Sequence, residues 1–156
     1  MNPNTEKVNI GTIGELLVQL RLLEFGVQAA APLKDSGNDL IAVHGTELMA
    51  IQVKTSREPT YNKPGRGKKY HILAVVKLKE DVQGKRSVRY LLDQSRIFLV
   101  PKPEVYKALC VIDKLDRKYE LNHGCVDRLI QGEGSPASNS DEALPQMPLC
   151  PLAGAS

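Results

Sequence analysis

Residues 36–56 read SGNDLIAVHGTELMAIQVKTS, from Ser36 to Ser56, and this stretch decides the fold. It holds two apolar runs, Asp39-Leu40-Ile41-Ala42-Val43 and Leu48-Met49-Ala50-Ile51-Gln52-Val53-Lys54. Between them lies His44-Gly45-Thr46-Glu47, a Gly-containing link of hairpin length. The pattern predicts two strands joined by a tight turn. Side chains alternate along a strand, so Gln52 and Lys54 project to one face and Ile51 and Val53 to the other. Two residues of strand span roughly 7 Å, so both polar groups can flank one small site. Asp39, at the start of the partner strand, is placed to complete it.

Working outward, the N-terminal side supplies a helix. Thr12 with Glu15 three residues on has the spacing of a capping box, and Gly26 is a stop signal, so a helix is expected from Thr12 to Phe25. Ile13, Leu16, Leu17, Leu20 and Leu23 form one apolar stripe, while Val18 and Leu22 lie outside it, near Glu15. A helix apolar on nearly all sides is packed on nearly all sides. Glu15 is then either a carboxylate among apolar neighbours or simply the capping acid at a solvated helix start. Val27 to Pro32 reads as a short strand or edge segment, and Lys34-Asp35-Ser36-Gly37-Asn38 as turn chemistry leading into Asp39.

On the C-terminal side, TSREPTYNKPGRGKKY sets Arg57, Lys63, Arg66, Lys68 and Lys69 against the single acid Glu58. Pro59, Pro64, Gly65 and Gly67 oppose regular structure, and Tyr61 and Tyr70 are interleaved with the charges. Two readings fit this loop: a mobile grip on a phosphate backbone, or a solvated hairpin loop. His71 to Val76 is a strongly apolar run, expected as a central strand. Lys77 to Arg86 reads as a turn, Ser87 to Leu92 as a strand or short helix, and Ile97 to Val100 as a strand. Glu104 to Leu109 after Pro103 reads as a helix, Tyr119 to Leu121 as a short edge strand, and Val126 to Ile130 as a helical turn. The fold class is therefore α/β, a mixed sheet flanked by helices.

The 156 residues suit one domain, residues 1–132, followed by a Pro-, Ser- and Ala-rich tail, 133–156, expected to be disordered. Net charge is +3, but no Lys or Arg follows Arg128, whereas Glu133, Asp141 and Glu142 lie in the tail. Without that tail, 21 basic residues face 15 acidic ones, a net +6 that favours a polyanionic partner. Cys110, Cys125 and Cys150 are odd in number and scattered, with no CxxC or Cys/His spacing, so neither a disulfide frame nor a zinc site is indicated. A reducing, intracellular setting fits, and neither a signal peptide nor an apolar run of membrane-spanning length is read.

The chemistry follows from the residue types. Asp39 and Glu15 are hard oxygen ligands, and the Gln52 carbonyl is a weaker, neutral one. Mg²⁺ takes such oxygens, with water or substrate phosphate completing the shell. Lys54 beside it can orient water or stabilise charge developing on phosphorus. His44, His71 and His123 are isolated, and Ser36 and Ser56 lack a partnered base, so Ser/His/Asp chemistry has no support.

Glu15 on a first helix, Asp39, and Gln52-Val53-Lys54 across a hairpin resemble the PD-(D/E)XK nuclease superfamily. That group has the restriction-endonuclease-like fold and includes Holliday-junction resolvases and some homing endonucleases. The resemblance covers roughly residues 10–57. It implies an α/β/α core and Mg²⁺-dependent hydrolysis of DNA phosphodiester bonds, with Mn²⁺ as a substitute. It also implies Asp39 as the central metal ligand, Glu15 as a ligand or its outer support, and Lys54 as the catalytic lysine. Gln52 stands at the usual second acid, a QxK variant, and Asn38 stands where proline is usual. Arg57, Lys63, Arg66, Lys68, Lys69 and Tyr61 are the expected DNA contacts. Two cuts on a duplex call for two sites, hence a homodimer or larger homo-oligomer, in a cytoplasmic or nucleoid-associated setting. Three other readings stay open: an inactive nucleic-acid-binding module of the same fold, a scaffold that recruits a protein through the tail, and an ordinary α/β domain. In the last, Asp39 only caps a turn, and Gln52 and Lys54 mark a strand emerging into solvent.

Overall fold

No proline interrupts the chain between Pro3 and Pro32, and Pro3 suits a first helical position, where its missing N–H has no partner to lose. In the computed structural model, which describes residues 3–33, 37–81 and 89–131, helix α1 uses most of this stretch, Pro3–Glu24. It begins nine residues before the expected start. Thr12 is therefore inside the helix rather than at its start, and Glu15 stands mid-helix. The T-x-x-E spacing at Thr12 is coincidental, because an N-cap needs a non-helical residue before it and α1 is already helical there.

The C-terminus of α1 is as expected. Gly26 takes a φ of +75°, which only glycine adopts without a Cβ penalty. Its N–H donates to the Leu23 carbonyl at 2.9 Å, and the Val27 N–H donates to the Leu22 carbonyl at 3.0 Å. These are the two bonds of a Schellman cap, and its usual apolar pair, Leu22 with Val27, is fully buried.

The buried face of α1 differs from the expected stripe. Gly14, Val18 and Leu22, each four residues apart, form the buried ridge with Leu17 beside it. Leu16, Leu20 and Leu23 are instead 54–58% exposed. The reason is the glycine. A Cβ built on Gly14 falls 1.8 Å from the Thr55 Oγ1 and 2.8 Å from its Cβ. Without a side chain at 14, the helix backbone settles against the sheet along that ridge, which turns the larger leucine stripe outward.

Five strands form the sheet: β1 (Gln28–Ala30), β2 (Leu40–His44), β3 (Glu47–Ser56), β4 (Ile72–Lys77) and, after a separate ribbon of β5 (Glu80–Asp81) and β6 (Arg89–Tyr90), β7 (Arg96–Pro101). Their order is β1-β2-β3-β4-β7. Only the β3–β4 pair is parallel, so the sheet is mixed. The two-residue loop Gly45-Thr46 closes the β2–β3 hairpin, with His44 opposite Glu47. Beyond Lys77 several elements are shorter than expected. Part of the Lys77–Arg86 turn is β5, and the strand-or-helix at 87–92 is β6 followed by a 3-10 turn at Leu92–Gln94. The helix after Pro101 is only α2 (Lys102–Val105). The expected edge strand at 119–121 is a 3-10 turn, Arg117–Tyr119, followed by a single bridge from Glu120 to Phe98. The last helical turn is α3 (His123–Val126), which continues as a π turn to Gln131. The tail, 133–156, lies outside the described residues.

Strand alternation divides the core in two. Ile51, Val53, Ile72, Ala74 and Val76 pack under α1 and α3. Leu73, Val75, Phe98 and Val100 pack on the opposite face with Val105 of α2, Ile112, Tyr61 and Tyr70. Helices thus flank a central mixed sheet, and β4 is buried on both faces, as its unbroken apolar run requires. The Tyr61 hydroxyl is buried without a hydrogen-bond partner among the described residues, and its pKa is pushed up to about 12, by burial first and by Cys110 second.

Two outcomes follow. Gly14→Ala forces α1 off β3 and lowers stability by about 1–3 kcal/mol in urea titrations. Thr55→Ala in the same chain returns part of that loss, and a loss unaffected by Thr55→Ala would refute the contact. Tyr61→Phe removes a buried hydroxyl that has no partner, so it leaves the thermal midpoint unchanged or raises it. A clear fall in the midpoint would show that the hydroxyl has a bonded partner after all.

Candidate active site

The site exists because β3 outruns β2. The last hairpin pair is Leu40 with Ile51, whereas β3 continues to Ser56 with only β4 beside it. On the β2 side, the N–H of Val53 therefore has no strand partner. Asp39, one residue before β2, supplies the acceptor. Its Oδ2 takes the Val53 N–H at 2.6 Å and an N–H from the Gln52 side-chain amide. Its own N–H donates to the Ile51 carbonyl at 3.1 Å. A buried N–H left unpaired costs about 1–3 kcal/mol, so this placement of Asp39 is structural as well as chemical.

Gln52 and Lys54 face away from α1, in register with Leu73 and Val75, while Glu15 comes from α1 on the other side. They meet because no strand separates the two faces beyond Ile51. Glu15, Asp39, Gln52, Lys54, Arg57 and Lys68 line one open cleft of about 630 Å³. All four residues expected to form the chemical site thus share one cavity. An apolar groove between α1 and the β1–β2 edge, lined by Leu20, Leu23, Ala29, Ile41 and Val43, contains no ionisable group and offers no such chemistry.

Three carboxylates, Glu15, Asp39 and Glu58, and three cations, Lys54, Arg57 and Lys68, line the cleft, and Glu15 lies within the field of Asp39. Burial first, and the negative charge of Asp39 second, raise the Glu15 pKa above its ordinary 4.5. Gln52 is only 2% exposed, and it is the one buried polar or charged side chain among the described residues. Its amide has two unlike ends. The NH₂ end donates to Asp39, and Oε1 accepts from Lys68 Nζ across a long 3.4 Å. A carboxylate at position 52 would meet Asp39 acid against acid, and the neutral amide removes that repulsion.

Among the described residues, no group of three or more His, Cys, Asp or Glu side chains is placed to hold a metal. The donor set nonetheless suits a hard divalent cation. Two carboxylates that repel each other stand beside an amide whose oxygen would face Asp39 after a half-turn, and Mg²⁺ commonly takes one or two carboxylates plus water.

The basic loop departs from expectation. It is tied down at several points rather than mobile. Lys63 Nζ donates to the carbonyls of Ala108 at 2.5 Å and Tyr106 at 3.4 Å. The Tyr106 hydroxyl donates to the Pro64 carbonyl at 2.8 Å, and Arg66 lies 5.1 Å over the Tyr106 ring. Lys102 Nζ donates to the Lys68 carbonyl at 2.7 Å. Two expected DNA contacts are corrected by these positions. The Tyr61 ring is 5% exposed in the core, so it has no free face for a base, and Lys63 is already engaged with two carbonyls. Arg57 pairs with Glu80 at 3.3 Å on the cleft rim, while Arg66 and Lys69 are exposed. Sequence reasoning did not find Gly14, Thr55 or Lys102. Gly14 had a signal, since a glycine in mid-helix often marks a close packing contact. Lys102 had none.

No protein-family model matches the chain, and no curated protein does. A solved structure of a bacterial homing endonuclease, I-Ssp6803I, is similar at 19% identity with a TM-score of 0.49, over 79% of this chain and 91% of that one.

Proposed function

We propose that the chain is a divalent-metal-dependent DNA endonuclease, a QxK variant of the PD-(D/E)XK type. One observation carries the proposal: Glu15, Asp39, Gln52 and Lys54 come from three separate elements and line one cleft, with Lys68 at its side. Asp39 and Glu15 would hold Mg²⁺ or Mn²⁺, with Gln52 joining once its amide turns. A cation bound there supplies an acidified water and neutralises phosphate charge. Lys54 stands on the same strand face as Gln52, two residues on, and its ammonium would stabilise negative charge developing on a phosphate held in the cleft. Arg66 and Lys69 give the backbone a cationic track. A cut of both strands needs two such clefts, so a homodimer or larger assembly belongs to this reading, as does a setting inside the cell where DNA is found.

A second reading has its own support. The Gln52 amide already satisfies Asp39 without a cation, which suits a binding module of the same fold that no longer cuts.

Purified protein with supercoiled plasmid separates the two. The nuclease reading expects nicking with Mg²⁺ or Mn²⁺ and none in EDTA. Lys54→Ala and Asp39→Asn should each lower the rate by at least about 10²-fold while DNA retention on filters persists. Retention without nicking under any metal would favour the binding module.

Glu15 yields a pH test of its burial beside Asp39. Its raised pKa means that the folded chain holds the proton more tightly than the unfolded chain. Its contribution is thus most favourable below the unfolded value and declines as pH rises through the folded one. In metal-free buffer, Glu15→Gln should therefore gain thermal stability relative to the parent as pH rises from below the ordinary 4.5 to neutral, and added Mg²⁺ should stabilise the parent more than the variant. A midpoint difference that stays constant over that range would remove Glu15 from the charged cleft.

A further inference from the structure

We infer that Lys68 is a latch on the cation site: it holds the Gln52 amide in the orientation that keeps metal out, and a phosphate backbone releases it. The inference rests on the metal-dependent reading above. Gln52 is almost fully buried and its amide has one oxygen and one NH₂. The NH₂ faces Asp39 and the oxygen faces the Lys68 ammonium. A cation at Asp39 needs the oxygen on that side. Turning the amide would aim its NH₂ at Lys68, two donors with no acceptor between them. Metal entry with Gln52 as a ligand and the Lys68–Gln52 contact therefore exclude each other.

Lys68 is built to move alone. Its backbone is fixed, with its carbonyl taking Lys102 Nζ at 2.7 Å and its N–H donating to the Gly65 carbonyl at 3.1 Å. The residue is exposed, so its flexible side chain has open space beyond the cleft. A phosphate oxygen is a stronger acceptor for an ammonium than a neutral amide oxygen at 3.4 Å. An arriving nucleic acid would draw Lys68 away, free the amide, and so raise metal affinity. By linkage, metal raises affinity for the phosphate chain by the same factor. Lys68 acts through Gln52 and is a positioning residue for the cation.

The test measures binding, not cutting. Mn²⁺ is titrated into metal-free protein by calorimetry, and the ¹⁵N-labelled Gln52 side-chain amide is followed by NMR with Mg²⁺. Lys68→Ala should tighten Mn²⁺ binding about three- to tenfold and shift the Gln52 amide resonances before any metal is added. Lys69→Ala removes the same charge one residue away and should do neither. In the Lys54→Ala chain, in which cutting should be slowed at least about 10²-fold, a short duplex should tighten Mn²⁺ binding, and adding Lys68→Ala should abolish most of that gain. Equal Mn²⁺ affinity in the parent and Lys68→Ala, or an equal gain from Lys69→Ala, overturns the latch while leaving the nuclease reading intact. No Mn²⁺ binding in any of these proteins overturns both.

Discussion

The missing side chain at position 14 is the constraint on which the cleft depends. Ala at that site would place carbon 1.8 Å from the Thr55 hydroxyl oxygen, so only glycine lets α1 lie where it does. The contact joins two neighbours of the chemical groups. Gly14 precedes Glu15, and Thr55 follows Lys54. Thr55 faces α1 and Lys54 faces the other way, so one close approach sets the height of an acid on one layer relative to a base on the next. The buried Thr55 hydroxyl has no hydrogen-bond partner among the described residues, so what it contributes there is its shape.

The second constraint is an electrostatic one, and it explains an amide at position 52. The end of β3 already gathers Asp39 and Glu15, and burial makes the second charge hard to keep. A carboxylate at position 52, almost wholly buried against Asp39, would add a like charge at close range. An amide relieves the cleft in two ways. It donates to Asp39, and it accepts from Lys68 on the opposite side. The chain Asp39–Gln52–Lys68 therefore runs from acid to base through a neutral group, and every polar end in it has a partner.

What the sequence disclosed, and what it hid, divides along physical lines. The hairpin was legible because strand alternation and turn chemistry agreed, and the convergence of Asp39, Gln52 and Lys54 followed from it. The start of α1 was not legible, since its early residues mix helix formers such as Glu6 and Lys7 with Asn4, Asn9 and Gly11, and T-x-x-E imitates a cap. The choice of its buried face was hidden as well. Leucines outnumber other apolar residues on α1, and the larger stripe of Leu16, Leu20 and Leu23 looked like the core side. Burial went instead to the ridge with the glycine, where the backbone itself makes contact. Short elements after Lys77 were misread for a related reason: a 3-10 turn such as Arg117–Tyr119 has no periodicity, and distant contacts settle it in place, among them the bridge from Glu120 to Phe98 and the Arg96–Glu120 ion pair.

The fixed basic loop changes how its charges would act on a polyanion. A mobile loop loses conformational freedom when it binds, about 0.5–1.5 kcal/mol for each long side chain immobilised, in addition to the ordering of its backbone. Here the backbone ordering is part of folding, through Lys63, Lys102 and the Tyr106 hydroxyl. Lys63 is consumed in that task, so fewer cations remain for a partner than the run of charges suggests. Those that remain are better placed. Lys68 reaches the buried amide only because Lys102 holds its carbonyl, and Arg66 stays over Tyr106 because that ring is tied to Pro64. Some of the basic residues in this loop thus act as struts, and their work is to aim the others.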